Sequence, residues 1–376
     1  MTTPATPPTP PASQPMTLER AEALYDLERY EQAAALTAQH LAQHPDDAHA
    51  LALLARCRRH LGDRAEALRL ADEALRADPE LPSAWFLRAD LLAHGPAGGP
   101  QWAAAEDSAR RGLALVPHHW SGYHVLGTIL ARSDHPARRR EAYALALRSV
   151  ELGPEEDATH FLLGLTAYQL KDYRTAEKAY ENALRLNPES SEAHNNLSLL
   201  HLRRRWYRRG AWTRAAEGFV DSAALDLDDR EARFNLETMA WGTAAGARWV
   251  ALGGFIAASI GSAQLRTGGS GTGAMVAELV GVAVYVALWA GWALWLRRRV
   301  PPRLRRPMLL ISRRCPPVLW MAGAVGLLGL HSLVTLALPM LTAGVVAGLG
   351  APLFWGVVIT YWVSRSALNR RAPGRR

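Results

Sequence analysis

Residues 155–188 alternate apolar and polar positions as two short amphipathic helices would. Four apolar residues of the second half recur at spacings of three and four and form one stripe: Ala176, Tyr180, Ala183 and Leu184. The pair Lys171–Asp172 predicts the turn between the two helices, and Pro188 predicts the end of the second. One such hairpin cannot bury its stripe alone, so neighbouring copies are expected.

Copies of this hairpin recur along the chain. Prolines that end helical stretches follow one another at intervals of 34, 38, 37 and 34 residues: Pro45, Pro79, Pro117, Pro154 and Pro188. An alanine lies twelve residues before each proline: Ala33, Ala67, Ala105, Ala142 and Ala176. A small residue also recurs in each first helix: Ala21, Ala55, Ala89, Gly127, Gly164 and Ser198. Small side chains at fixed points allow antiparallel helices to approach, which predicts a stack of hairpins.

This pattern resembles the tetratricopeptide repeat family, whose units are helix–turn–helix pairs of 34 residues. LLGLTAYQLKDYRTAEKAYENALRLNP (162–188) and LGDRAEALRLADEALRADP (61–79) match its consensus closely. The resemblance implies an all-α superhelical solenoid over residues 16–240, closed by the capping helix DDREARFNLETMAW. Six repeats are expected: 16–45, 46–79, 80–117, 118–154, 155–188 and 189–228.

The resemblance also implies a concave groove that holds a peptide or helix of a protein partner. Alignment with the family places part of each first helix in that groove: Glu22, Tyr25, Arg56, Arg59, Phe86, Asp90, His124, Thr128, Arg132, Phe161, Leu165, Tyr168, Asn195, Leu199 and Arg203. The alternative is that several of these residues only pack against neighbouring helices and do not contact a partner. Family members that clamp a terminal carboxylate use lysines at such positions, and this sequence has none there, so that ligand is not carried over.

Charge divides the chain into two parts. Residues 241–376 contain fifteen arginines and one acid, Glu278, whereas residues 1–240 carry a net charge of −6. An acidic soluble domain followed by an arginine-flanked membrane domain fits this division better than a nucleic-acid-binding protein does. The Pro- and Thr-rich segment 1–15 predicts a disordered tail and no signal peptide. Two distant cysteines, Cys57 and Cys315, argue against a disulfide framework.

Four apolar segments predict a transmembrane domain over residues 241–364, because a spanning helix needs about twenty apolar residues. The segments are 249–265, 274–296, 318–338 and 341–363. The first is the shortest, and a helix buried in a soluble core is its alternative. Eight arginines lie between the second and third segments, and five lie after the fourth, all in the basic tail 365–376. The positive-inside rule therefore predicts cytoplasmic N- and C-termini and a multi-pass protein of the plasma membrane.

Two further features are candidate sites. Residues Arg203–Arg214 interleave arginines with aromatic residues, which favours contact with anionic lipid, with a solvated turn or RNA stacking as alternatives. Glu278 and His331 are ionisable residues inside predicted spans and form a candidate intramembrane pair. The alternative is that Glu278 reaches the membrane interface and that a neutral His331 forms a hydrogen bond within the bundle.

No enzyme motif is found. The chain has no phosphate-binding loop followed by lysine, no HExxH and no cysteine pair at metal spacing. Histidines cluster at 40–49 and 118–124 without the carboxylate or cysteine that would complete a zinc site. We therefore expect no catalytic residue, no cofactor and no metal, and a membrane-anchored scaffold that binds a cytoplasmic protein. The alternative is a small transporter or membrane enzyme with a regulatory repeat domain.

Overall fold

The computed structural model describes residues 15–93, 99–203, 210–226, 230–267, 269, 271–338 and 348–372. All regular structure in these ranges is α-helical, as expected for an all-α protein. The chain divides into two compact units, residues 1–188 and 189–376. The sixth predicted repeat, residues 189–228, therefore lies in the second unit. The predicted disordered tail 1–15 falls almost entirely outside the described residues.

The described residues of the first unit form five helix hairpins. Its helices are α1 (Pro15–Asp26), α2 (Tyr30–Leu41), α3 (Ala48–His60), α4 (Arg64–Ala77), α5 (Pro82–Leu92), α6 (Pro100–Leu115), α7 (Trp120–Ala131), α8 (Pro136–Leu152), α9 (Asp157–Gln169) and α10 (Tyr173–Leu186). Each odd-numbered helix packs on the even-numbered helix that follows it and on the preceding hairpin. The hydrophobic core is consequently a series of layers between successive helices, and not one central cluster.

Three hairpins turn in the same way. The residue at the centre of the turn has a left-handed backbone in each: Glu28 at φ 58°, Gly62 at φ 87° and Lys171 at φ 65°. Such a residue ends the first helix. In the second and third of these turns, the aspartate that follows, Asp63 or Asp172, accepts a hydrogen bond at 3.2 Å from the backbone N–H three residues on and begins the next helix. The structure thus has the turn that Lys171–Asp172 predicts.

The small residues of the repeat pattern lie where helices touch. All five alanines of the second helices are fully buried: Ala33, Ala67, Ala105, Ala142 and Ala176. The six small residues of the first helices are buried as well: Ala21, Ala55, Ala89, Gly127, Gly164 and Ser198. A Cβ added to Gly164 would come within 2.6 Å of the Tyr180 ring in the paired helix. Side-chain size at these positions therefore sets how closely each hairpin closes.

The second unit contains the described helices from residue 191 onward. They are α11 (Ser191–Arg203), α12 (Ala211–Leu225), α13 (Arg230–Gly261), α14 (Ala263–Arg266), α15 (Thr272–Arg299), α16 (Pro302–Arg314), α17 (Pro316–Ala337) and α18 (Gly350–Asn369). Hairpin α11–α12 is followed by α13, which packs on α12, α15 and α17. Three of these helices, α13, α15 and α17, are long and apolar enough to cross a membrane.

Helix α13 differs from the sequence prediction. A capping helix ending near Trp241 and a separate apolar segment 249–265 were expected, but one helix of 32 residues covers both and ends at Gly261. The intervening residues 242–248 include no proline and three alanines, so nothing in them stops a helix. Segments 274–296 and 318–338 correspond to α15 and α17. Segment 341–363 corresponds to α18 only from Gly350 onward, because residues 339–347 lie outside the described residues.

The arginine-rich stretch between α15 and α17 is a second difference. It was expected to be a loop, and it contains helix α16 of 13 residues. Leu304 and Met308 are buried at a spacing of four and hold one side of α16 against the unit. Arginines and two exposed leucines occupy the other side.

Close helix contacts hold α13, α15 and α18 together. A Cβ on Gly261 of α13 would lie 3.0 Å from the Cα of Gly281 in α15, so the two backbones nearly touch. The indole N–H of Trp241 in α13 donates a hydrogen bond of 2.9 Å to the hydroxyl of Ser364 in α18. Small residues and one buried polar contact therefore position the apolar helices.

Candidate functional site

The first helices of three consecutive hairpins, α3, α5 and α7, line one cavity of about 520 Å3 in the first unit. Seven residues that the sequence assigned to a groove meet there: Arg56, Arg59, Phe86, Asp90, His124, Thr128 and Arg132. They come together because each lies on the same side of its helix, one hairpin further along the stack. We call this cavity the α3–α5–α7 groove.

The charged groups of the groove are mostly cationic. Arg59 donates a hydrogen bond from Nη1 to Asp90 Oδ2 at 2.5 Å, and Arg132 donates to the backbone carbonyl at the C-terminal end of α5. The guanidinium carbon of Arg56 lies 4.0 Å from the centre of the Tyr25 ring. Within the described residues Arg56 has no ion pair with an acid. Three arginines and one carboxylate therefore give the groove a positive balance.

Six further lining residues were not named by the family alignment: Ser83, Leu87, Ala93, Ser121, Val125 and Ile129. They lie three or four positions from predicted residues on the same helices, so helical spacing was the signal that would have found them. Leu87, Val125 and Ile129 give the groove an apolar surface beside its arginines. The arrangement suits an extended segment or helix that carries both acidic and apolar side chains.

The pKa of His124 is shifted by its surroundings in the groove. It is half-buried on α7, and its ring lies 5.9 Å from that of Trp120. Burial lowers the pKa of His124 below its ordinary value of 6.5, and the Asp157 carboxylate opposes this shift. The folded protein therefore holds this imidazole neutral more strongly than the unfolded chain does.

Acidification is expected to loosen α7 through His124. As the pH falls below 6.5, the unfolded chain takes up this proton before the folded one, so local stability decreases; above that pH both forms are neutral and the contribution vanishes. The variant His124→Gln should show a smaller loss of hydrogen-exchange protection in α7 between pH 7.5 and 5.5 than the wild type, after correction for intrinsic exchange rates. The variant His118→Gln, which removes an exposed imidazole nearby, is the control and should follow the wild type. Identical pH profiles for all three proteins would contradict the assignment.

The remaining predicted groove residues do not line this groove. Phe161 packs against Tyr180, with ring centres 5.9 Å apart, and Tyr168 packs against Tyr173 at 5.8 Å. Asn195 is buried in the second unit and accepts a hydrogen bond of 3.0 Å from the side-chain amide of Asn235. Arg203 is exposed at the end of α11 in the same unit. Glu22, Tyr25, Leu165 and Leu199 also lie outside the groove lining.

The candidate intramembrane pair of Glu278 and His331 stays a prediction. His331 lies on the side of α17 toward α13 and α18: its ring centre is 6.0 Å from that of Phe255, and its Nε2 would be 3.2 Å from a Cβ on Gly350. Glu278 lies on α15, which packs mainly on α13.

The two other candidate sites are only partly described. In Arg203–Arg214, residues 204–209 lie outside the described residues, and Trp212 contacts the Arg299 guanidinium at 5.1 Å. Anionic lipid binding there stays a prediction. In the histidine cluster at 40–49, His40 pairs with Asp47 at 2.8 Å. No group of three potential metal ligands occurs in the part of the chain that the structure describes.

Comparison with known proteins agrees with the hairpin architecture. The tetratricopeptide repeat family model matches residues 18–82 and 161–234. Anaphase-promoting complex subunit 3 of Schizosaccharomyces pombe is 22% identical over 171 residues, which are 46% of this chain and 25% of that protein. The chain thus spans a quarter of the length of this relative.

A solved structure shows the same fold. The crystal structure of the APC/C hetero-tetramer Cut9-Hcn1 superposes with a TM-score of 0.52 at 16% identity, covering 61% of this chain and 43% of that one. The segment 161–234 that the family model matches includes the hairpin of residues 162–188, and the buried alanines and glycines of the repeat pattern occupy the helix contacts. The chain therefore contains tetratricopeptide repeats, in residues 18–82 and 161–234.

Proposed function

We propose that this protein is a membrane-anchored scaffold whose repeats bind a cytoplasmic protein partner in the α3–α5–α7 groove. The observation that carries the proposal is the convergence of three arginines and an apolar surface in one open groove of a repeat protein. Repeats of this family interact with other proteins, and the groove has a size and a chemistry that suit a partner segment.

The chemistry of the groove favours an acidic partner segment with apolar side chains. Arg56 and Arg59 lie on α3, one helical turn apart, and Arg132 lies on α7. A guanidinium binds carboxylates through two parallel N–H groups, and such charge-assisted hydrogen bonds are stronger than neutral ones. Phe86 and Val125 provide apolar contact beside these arginines. A purely basic or purely apolar segment would leave half of this surface unmatched.

Membrane anchoring is supported by the apolar helices of the second unit. Only 6% of the most apolar stretch of α15 is buried, and exposed residues such as Leu279 and Val280 would face lipid. Arginines flank the helix ends, with α16 and the C-terminal tail on the cytoplasmic side by the positive-inside rule. With α18 as the fourth span, the N-terminus and the repeats are cytoplasmic too.

Crosslinking in native membranes tests both halves of the proposal. Full-length wild type and the double variant Arg56→Ala/Arg59→Ala are crosslinked, washed with alkaline carbonate and analysed by mass spectrometry. We expect both proteins in the membrane pellet, and at least about a tenfold lower recovery of the partner with the variant, because each charged hydrogen bond contributes about 1.5–3 kcal/mol.

The matched control is Arg64→Ala/Arg76→Ala, which removes two arginines from α4 that do not line the groove. It should recover the partner at the wild-type level. Equal recovery with all three proteins would refute the groove as the binding site, and release of the wild type by carbonate would refute the membrane anchor.

A further inference from the structure

A second cavity lies within the apolar unit, at the end of α15 where its arginine run begins. Helices α13, α15, α16 and α17 enclose a volume of about 500 Å3. This size falls in the range of pockets that hold small organic ligands. Neither the repeat fold nor the partner-binding groove requires this cavity. Its lining residues indicate which kind of ligand it could bind.

The lining combines apolar walls with two cationic groups. Trp292, Leu296 and Met308 contribute apolar surface, and Arg297 and Arg305 line the same cavity. Neither arginine forms an ion pair with a described acid, and both are exposed. Arg305 uses its Nε to donate a hydrogen bond of 3.3 Å to a backbone carbonyl, which leaves its two terminal nitrogens to bind an anion.

The hydroxyl groups of the lining do not replace these arginines as anion donors. Ser312 Oγ donates to the carbonyl oxygen of Met308 at 2.6 Å, and Thr243 Oγ1 donates to that of Met239 at 3.0 Å. Each hydroxyl has one hydrogen, and it is already used within its own helix. The cavity thus offers guanidinium groups for a negative charge and apolar surface for the remainder of a ligand.

Helix α16 extends the apolar surface outward from this cavity. Leu309 lines the cavity and is 52% exposed, and the adjacent Leu310 is 60% exposed. Arg306 and Arg313 lie between these leucines around the helix, so this face mixes cationic and apolar groups, as helices at a membrane surface do. The exposed side of α16 therefore has the same mixture of cationic and apolar groups as the cavity.

We propose that this cavity binds one anionic phospholipid of the surrounding bilayer. The headgroup phosphate would contact Arg297 and Arg305, and an acyl chain would lie against Trp292 and Leu309. A basic pocket between helices at the cytoplasmic end of spanning segments has the charge and the depth for such a headgroup. Inorganic phosphate would match only the arginines and would leave the apolar walls without a partner. The inference rests on the proposed membrane insertion, and it is independent of partner binding in the α3–α5–α7 groove.

Native mass spectrometry of the delipidated full-length protein in a neutral detergent tests the proposal. Phosphatidylglycerol should bind as a single retained adduct, whereas phosphatidylcholine should bind at least about tenfold more weakly because its headgroup has no net charge. Excess inorganic phosphate should not displace the lipid. Equal binding of both lipids, or full displacement by phosphate, would overturn the assignment of an anionic lipid.

Three variants locate the site. Arg297→Ala/Arg305→Ala should weaken phosphatidylglycerol binding at least about tenfold. Arg313→Ala/Arg314→Ala, on the same segment but outside the cavity lining, should bind as the wild type does, and an equal loss there would mean unspecific charge attraction. Ala322→Phe keeps both arginines and fills the cavity, so it should also weaken binding; wild-type affinity in this variant would overturn the cavity assignment.

Two measurements separate misfolding and a failed anchor from a failed site. Each variant must keep the far-ultraviolet circular dichroism of the wild type, and affinities are compared only among proteins that do. Carbonate extraction of membranes reports on insertion separately. A protein that stays in the pellet and binds no phosphatidylglycerol overturns the lipid site alone, whereas a protein released from the membrane overturns the anchor.

Discussion

Replacing Trp102 with alanine is expected to destabilise the third hairpin by about 3–5 kcal/mol, because it removes a large aromatic side chain from a packed layer. Trp102 lies on α6, is only 1% exposed and belongs to the core cluster that includes Ala105 and Leu130. Its ring also carries the guanidinium of Arg138 at 4.3 Å. A layered repeat stack has few other contacts that could close the resulting cavity, since each hairpin touches only its neighbours.

Hydrogen exchange of the full-length protein measures this loss where it occurs. Amides of α5 and α6 should exchange at least about 100-fold faster in Trp102→Ala than in the wild type, since every 1.4 kcal/mol corresponds to a factor of ten. The control is Trp102→Phe. It keeps most of the apolar volume and sacrifices no hydrogen bond, because the indole N–H has no partner among the described residues. A smaller cost of about 1–2 kcal/mol is expected for it. Unchanged exchange in Trp102→Ala would show that the ring does not hold the hairpin together.

Adding one methyl group at Gly164 is expected to be the second most damaging change. The Cβ of an alanine there would lie 2.6 Å from two ring carbons of Tyr180, a side chain that is 1% exposed and packs against Phe161. Overpacking of this kind costs about 1–3 kcal/mol, which exceeds the gain of up to about 1 kcal/mol that alanine brings to a helix. Amides of α9 and α10 should therefore exchange faster in Gly164→Ala.

A double-mutant cycle identifies the Tyr180 ring as the cause. In a Tyr180→Leu background, the further change Gly164→Ala should cost at least about 1 kcal/mol less, because the clashing ring atoms are gone. Gly242→Ala is the matched control: a Cβ there has no atom within 4 Å, so helix propensity alone should act and stability should not fall. Equal costs in both backgrounds would assign the effect to the backbone of α9 and not to the ring.

The repeat architecture could be predicted from the sequence because one physical requirement recurs. Every helix pair needs a small residue at its closest approach, and Ala67, Ala176 and Gly164 mark these points at regular intervals. The turns were equally readable, since a left-handed residue followed by a capping aspartate, as at Lys171–Asp172, ends one helix and begins the next. A sequence period near 34 residues thus predicts the helix hairpins, the turns within them and the buried contact positions.

The helices of the second unit were harder to predict because their amino-acid composition suggested other boundaries. In α16, five arginines within thirteen residues indicated a polar loop. The apolar spacing of Leu304, Met308 and Ile311 was the competing signal, and it decides the structure because that side packs on the unit. In α13, the change from mixed to apolar sequence suggested a boundary, although no residue between Trp241 and Trp249 ends a helix.

In the α3–α5–α7 groove, too, the sequence predicts the position of some residues better than their surroundings. Arg56, Phe86 and His124 line one cavity because they share a repeat position on consecutive first helices. Phe161 and Tyr168 share that position as well, yet their rings pack against neighbouring aromatic residues. Repeat position fixes the face of a helix, whereas the size of the neighbouring side chains decides whether a residue on that face is available to a ligand.

The unbroken helix α13 has a mechanical consequence. Its 32 residues span about 48 Å, and the same helix packs on α12 and on the apolar helices α15 and α17. A continuous hydrogen-bonded helix behaves as a stiff rod, whereas a Gly- or Ser-rich linker behaves as a flexible coil. A tilt or rotation of α13 at its apolar end is therefore transmitted along the helix to its N-terminal end.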